Sequence, residues 1–332
     1  KVVLEYQNGD TQTLSIDKSW PATQEKHTSW KTLNFDDSKW TKPKQICKFW
    51  DGVYGGFDKS WDLPPAPYLR KEFTLEKEIK SAYIYTSALG LYELHINGRR
   101  VSDDYFTPGW TDYDQRCAYQ VYDVTEMLKK GSNALGSILA DGWYAGYLAW
   151  GRVRERYGDK PRFFAQLEIT CTDGSTQTIT TDKSWKASYG AYFDADILNG
   201  VTYDARCEMP GWNKPDFDDS AWNPVAVTEK ISAKLSPHPG NPVRITKQLK
   251  PVKITEPHPG HYTFDLGQNF AGVARLKIKG KPGQQITLRF AEILDEENMI
   301  YTTNLRDARC EERYICKSSD TEIFVPNFTF HG

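Results

Sequence analysis

The sequence carries no strong charge of either sign. Its 42 Lys and Arg nearly balance 44 Asp and Glu, and the net charge is −2. That balance gives no electrostatic pull toward nucleic acid or anionic lipid. No apolar run approaches the roughly 20 residues that a membrane-crossing helix needs. Histidine and cysteine are sparse, at six each among 332 residues. Cys47, Cys117, Cys171, Cys207, Cys310 and Cys316 include no CxxC and no metal-like cluster with His, so a dense disulfide framework is not indicated. Cys310 and Cys316 could pair across a hairpin; buried free thiols are the alternative. Catalytic signatures are also missing: no GxSxG, HExxH, Walker loop or dinucleotide fingerprint occurs. His258 and His261 flank a Pro-Gly turn, and Asp295-Glu296-Glu297 reads as a charged loop tip. Helix signals are scarce. The best is "DVTEMLKKG", where Asp123 can cap, Glu126 sits at the capping-box position and Gly131 ends the turn.

Aromatic residues are abundant, with 11 Trp and 19 Tyr. Most suit the core of a β-sandwich, and some suit a platform on which the apolar face of a sugar can lie. The sequence also repeats itself. "NGDTQTLSIDKSW" (Asn8 to Trp20) returns as "DGSTQTITTDKSW" (Asp173 to Trp185), 165 positions later. "SWKTLNFDDSKW" (Ser29 to Trp40) returns as "GWNKPDFDDSAW" (Gly211 to Trp222), now 182 positions later, so the second copy carries 17 extra residues.

Alternating runs meet at Asn8-Gly9, Asn97-Gly98 and Asp173-Gly174, dipeptides whose tolerance of positive φ makes them hairpin turns. A fourth hairpin is predicted to turn between Gly280 and Gly283. Pro-rich "WDLPPAP" (Trp61 to Pro67) and "SPHPGNP" (Ser236 to Pro242) read as linkers. The predicted fold class is all-β: tandem jelly-roll-like β-sandwiches with very little helix. Residues 1–60 would be the C-terminal part of a first sandwich whose front half is missing. Residues 63–235 would form a second sandwich and 240–332 a third, with "FTFHG" the front of a strand cut short.

Two stretches stand out as candidate sites. In the insertion, "YFDADILNGVTYDARCEMPGW", Asp194, Asp196, Asn199 and Asp204 place hard oxygen ligands of the kind Ca²⁺ takes within eleven residues. The spacing is not that of an EF-hand, and the same residue types also build ordinary Asx turns. In "LADGWYAGYLAWG" (Leu139 to Gly151), an apolar strand breaks into Trp143, Tyr144, Tyr147 and Trp150. These aromatics could form a stacking platform or a lid packed on the sandwich.

At these residues the chain resembles a known family. "INGRRV" through "LADGWYAGYLAWG", then "ILNGVTYDAR", then "FDLGQNFAGVARLKIKGKPG" through "FTFHG", occur in the order found in the amino-terminal β-sandwich modules of family 78 bacterial α-L-rhamnosidases. The resemblance covers roughly 63–332. It implies a secreted or periplasmic parent enzyme (cytoplasmic being the alternative) that hydrolyses terminal α-L-rhamnosides with inversion. The catalytic (α/α)₆ barrel would lie downstream and outside this chain, so no catalytic residue is assigned here; the alternative is stand-alone carbohydrate-binding or purely structural buttress modules with no hydrolase activity. Residues 63–235 are similar to family 67 carbohydrate-binding modules, which hold L-rhamnose through Ca²⁺. Asn199, Tyr203 and Asp204 match that ligand loop. Val201-Thr202 depart from it, since an acidic residue often follows the Gly. The resemblance thus implies a rhamnose-containing glycan as partner, with Asn199 and Asp204 as metal ligands and Asn199 and Tyr203 on the sugar; the reading of the residues themselves adds Asp194 and Asp196 as candidate metal ligands and Trp143, Tyr144 and Trp150 as candidate sugar contacts.

Overall fold

The computed structural model describes residues 2–5, 11–14, 63–148, 153–228, 231–305 and 308–332. The chain divides into two compact units, residues 1–52 and 53–332. In the first, Val2–Glu5 and Thr11–Leu14 pair antiparallel, with Glu5 opposite Thr11. That register suits a hairpin through Asn8-Gly9, which itself lies outside the described residues.

The second unit is built on two sheets. One has five strands, in the order Thr176–Thr180, Arg162–Cys171, Ile79–Leu89, Arg116–Asp123, Lys234–Pro237. The other has six, in the order Asn223–Pro224, Lys186–Tyr189, Pro67–Leu75, Gly131–Ala140, Leu91–Ile96, Arg99–Arg100. Alternation explains the pairing: one face of each strand is apolar and both apolar faces turn to a shared core. Phe73, Leu75, Ile84, Leu94, Ile96, Leu135, Leu167, Ile169 and Trp185 are buried there. The predicted turn at Asn97-Gly98 forms, with both residues at positive φ, between Leu91–Ile96 and Arg99–Arg100. Gly174 turns Arg162–Cys171 into Thr176–Thr180 in the same way.

The fourth predicted hairpin does not form. Leu276–Lys279 pairs with Thr321–Phe324, and Gln285–Arg289 pairs with Glu311–Ile315 in another sheet. The turn between them is present (Gln284 N donates to Lys281 O at 2.9 Å), yet the strands on either side find different partners.

Helix is as scarce as the sequence indicates. Among the described residues the one α-helical segment is Gly142–Ala145, four residues long. "DVTEMLKKG" forms a single 3₁₀ turn, Thr125–Met127. Its N-cap is Val124, with no side-chain cap, and Asp123 instead forms an Asx turn just before it, accepting hydrogen bonds from Thr125 N at 3.0 Å and Thr125 Oγ1 at 2.7 Å. No described helix is long and apolar enough to cross a membrane. The five described cysteines are buried, and Cys310 and Cys316 are not joined by a disulfide.

A four-stranded sheet is added, in the order Tyr192–Asp196, Gly200–Asp204, Glu311–Ile315, Gln285–Arg289, together with smaller two-stranded sheets. The insertion supplies the first two strands and the C-terminal segment the other two. Residues 63–235 and 240–332 accordingly share a second core, in which Tyr68, Leu91, Ile138, Tyr192, Ile197 and Val201 meet Tyr314, Cys316, Phe324 and Phe328. Within "FTFHG", Phe328, Thr329 and His331 are buried while Phe330 is exposed, and His331 exchanges two 2.8 Å backbone hydrogen bonds with Gly272.

Candidate functional site

The aromatic stretch begins where Gly131–Ala140 ends. Asp141 is buried and held by Arg154, whose Nη2 donates at 2.6 Å. Trp143 is half-buried and its ring lies parallel to that of Trp110, with centroids 5.9 Å apart and planes 4° from coincidence. Trp110 is 58 % exposed. Phe106 meets the edge of Trp143, and Phe330 packs on Phe106. Trp143 therefore belongs to a surface group whose outermost member, Trp110, sequence reading missed. Its position just after the Pro108-Gly109 turn was the available signal. Tyr144 turns inward, buried against Tyr113 at 5.4 Å. Trp150 lies outside the described residues.

The hairpin Tyr192–Asp204 holds the proposed cation ligands, and all four are buried. Asp194 receives Arg309, Nη2 to Oδ1 at 2.9 Å and Nη1 to Oδ2 at 3.4 Å. Asp196 Oδ1 accepts from Leu198 N, Asn199 N and Asn199 Nδ2 at 2.9–3.0 Å, and its Oδ2 accepts from Tyr147 N at 2.9 Å. Asn199 Oδ1 accepts from Arg309 N at 3.0 Å, and its carbonyl from Arg309 Nε at 2.9 Å. Asp204 Oδ1 caps Arg206 N at 3.0 Å and its Oδ2 accepts from Arg206 Nη2 at 2.7 Å. Tyr203 donates to Glu208 Oε1 at 3.1 Å and stacks on Tyr314.

The fold brings Asp196, Asn199 and the Tyr147 amide together, and joins Asp194 to Asn199 through Arg309. Asp204 faces a separate donor, Arg206. Burial raises the pKa of both Asp141 and Asp196; Arg154 and the N–H donors partly counter it, and Asp196 raises Asp141 further. Among the described residues no three His, Cys, Asp or Glu gather as a metal centre. The side-chain oxygens of Asp194, Asp196, Asn199 and Asp204 already accept from nitrogen donors, and two of those donors are guanidinium groups. A Ca²⁺ here would have to displace Arg309 and Arg206, so the residues as folded do not fit that ion. Arg309 is the participant no local pattern could reveal, because it stands 115 residues from the carboxylate it binds.

Residues 77–247 match the family model of the alpha-L-rhamnosidase N-terminal domain, and residues 255–332 that of the bacterial alpha-L-rhamnosidase concanavalin-like domain. A curated alpha-L-rhamnosidase of Streptomyces avermitilis is 42% identical over 100% of this chain and 32% of its own length. The match takes in the first 60 residues as well. The crystal structure of that organism's alpha-L-rhamnosidase complexed with L-rhamnose is 41% identical, with a TM-score of 0.79 over 99% of this chain and 32% of that one. The alpha-L-rhamnosidase structure from Dictyoglumus thermophilum is 40% identical, with a TM-score of 0.76 over 81% of this chain and 30% of that one. This chain thus spans about a third of the length of the curated relatives it matches. It belongs to the bacterial alpha-L-rhamnosidase family, through the N-terminal and concanavalin-like domains of that family.

Proposed function

We propose that this chain is the non-catalytic amino-terminal portion of an α-L-rhamnosidase. Hydrolysis of terminal α-L-rhamnosides would be carried out by a barrel domain of the same polypeptide. The observation that carries this reading is the pair of matches, which place the chain's domains within about a third of its relatives' length. The carboxylates support it. Inverting hydrolysis needs one carboxyl group at the leaving oxygen and another that activates a water across the sugar. Asp141, Asp194, Asp196 and Asp204 are buried and engaged with nitrogen donors. Purified chain should release no rhamnose from an aryl α-L-rhamnoside above the buffer rate. Release that disappears on mutating one of its residues would place an active site here.

A second reading, weak rhamnose binding by residues 63–235, is favoured by the exposed Trp110 lying parallel to Trp143. Such a surface suits the apolar face of a pyranose. Few contacts imply binding in the high-micromolar to millimolar range, about 4 to 6 kcal/mol. Calorimetry with L-rhamnose should give heat that Trp110→Ala removes. Heat lost to a chelator would assign a cation, and no heat at millimolar sugar would end this reading.

A further inference from the structure

The 17 residues that the second repeat copy has, and the first lacks, fall in the stretch that contains the Tyr192–Asp204 hairpin. Their oxygen-bearing side chains resemble cation ligands in sequence but meet protein donors in the fold. We propose that this insertion is a clamp, an interaction surface that docks the C-terminal segment 309–331 and locks the family's N-terminal and concanavalin-like domains into one body.

The backbone supplies the first part of the surface. Tyr192–Asp196 pairs with one edge of Gly200–Asp204 and leaves the other edge open. An open edge is a template for a further strand. Here the added strand is parallel: Thr202, Tyr203 and Asp204 face Arg313, Tyr314 and Ile315. Gly200 lies so close to the Glu311 carbonyl that a Cβ would overlap it.

Side chains set the register. Arg309 reaches Asp194 with both terminal nitrogens and the Asn199 carbonyl with its Nε. Asp194 and Arg309 are almost sealed from water, with side chains 1% and 9% exposed. A planar fork meeting a carboxylate in a dry site is strong and directional. Further along, Thr329 Oγ1 donates to Ile197 O at 3.0 Å, and Glu208 takes both Tyr203 and Lys317. Tyr192 packs on Phe328 at 5.3 Å. Beyond Arg244 the covalent connection contributes no comparable hold, since residues 245–248 are exposed and without regular structure.

The test is to place a specific protease site between Thr246 and Lys250 of the full chain, cut there, and size the product. The nicked wild type should elute at the intact mass. Nicked Arg309→Met should dissociate roughly tenfold more readily or worse, because a buried carboxylate loses its partner. Asp194→Asn should add little to Arg309→Met if the two residues act as a pair. Arg309→Lys, which keeps the charge but not the fork, should fall between and serves if Arg309→Met does not fold. Nicked wild type that separates at once, or an Arg309→Met complex as tight as wild type, would overturn the clamp. So would dissociation caused by a chelator, which would return the hairpin to a cation.

Discussion

Trp185 shows what Asp-Lys-Ser-Trp does at its second occurrence in this chain. Asp182 Oδ1 accepts from Ser184 N at 2.8 Å and from the Ser184 hydroxyl, which closes a tight Asx turn. The turn aims Trp185 into the sandwich, where it is 2% exposed and donates Nε1 to Thr180 O at 3.0 Å. Trp185→Ala should lower stability by about 3–5 kcal/mol, measurable by denaturant unfolding. The Asp182 carboxyl has a pKa near 2. Burial alone would raise it, but the Lys71 ammonium at 2.8 Å and the Ser184 donors more than offset that. A depressed carboxyl stabilises above its unfolded pKa of 3.8, and the contribution fades as pH falls toward 2. Asp182→Ala should therefore flatten the acid limb of the stability curve between those values. Asp182 is nearly half exposed, so the ion-pair share is only about 0.2–1 kcal/mol.

At the scale of elements, glycine positions separate what a turn requires from what docking requires. Gly174 and Gly200 share a positive φ, of 83° and 86°. A Cβ on Gly174 would meet nothing within 4 Å, whereas one on Gly200 would run into the Glu311 carbonyl. Gly174→Ala should cost roughly 1 kcal/mol of backbone strain. Gly200→Ala should cost more, and hydrogen exchange should speed at the amides of Arg313, Tyr314 and Ile315. Equal losses for the two variants would mean that the close approach at Gly200 carries no energy. The strands on either side of Gly280–Gly283 teach a related lesson. Their turn chemistry was legible, but turn chemistry is local. Thr321–Phe324 takes Leu276–Lys279 and Glu311–Ile315 takes Gln285–Arg289, so each flank of the turn pairs with a strand distant in sequence rather than with the other flank.

At the scale of the whole molecule, the described residues are unevenly covered. Residues 63–235 enclose a dense core, while the C-terminal segment shows Val252, Ile254, Tyr262 and Phe264 to solvent, with Val252 70% exposed. Apolar side chains grouped in this way favour association. Sedimentation should therefore show an average mass that rises with concentration, and Ile254→Lys should reduce the rise. A strictly monomeric chain would show that these side chains are too dispersed to act together.

The sequence by itself determined the all-β class, the turns at Asn97-Gly98 and Asp173-Gly174, the scarcity of helix and the membership of the family. Each of these rests on short-range pattern: period-two alternation, positive-φ dipeptides, or motifs in order. It also marked the insertion as the distinctive stretch. Only the tertiary structure decided what the insertion touches. Asp194, Asp196, Asn199 and Asp204 are a list of oxygens until something fills their hydrogen-bonding capacity. The fold supplies that filling from Arg309, Arg206 and the Tyr147 amide. Trp110 and Trp143 likewise lie 33 positions apart in sequence and become one surface through the sheets between them. The reason is common to both cases. A strand's partners, and a buried charge's counterion, are chosen by global burial, and no local window of sequence contains that information.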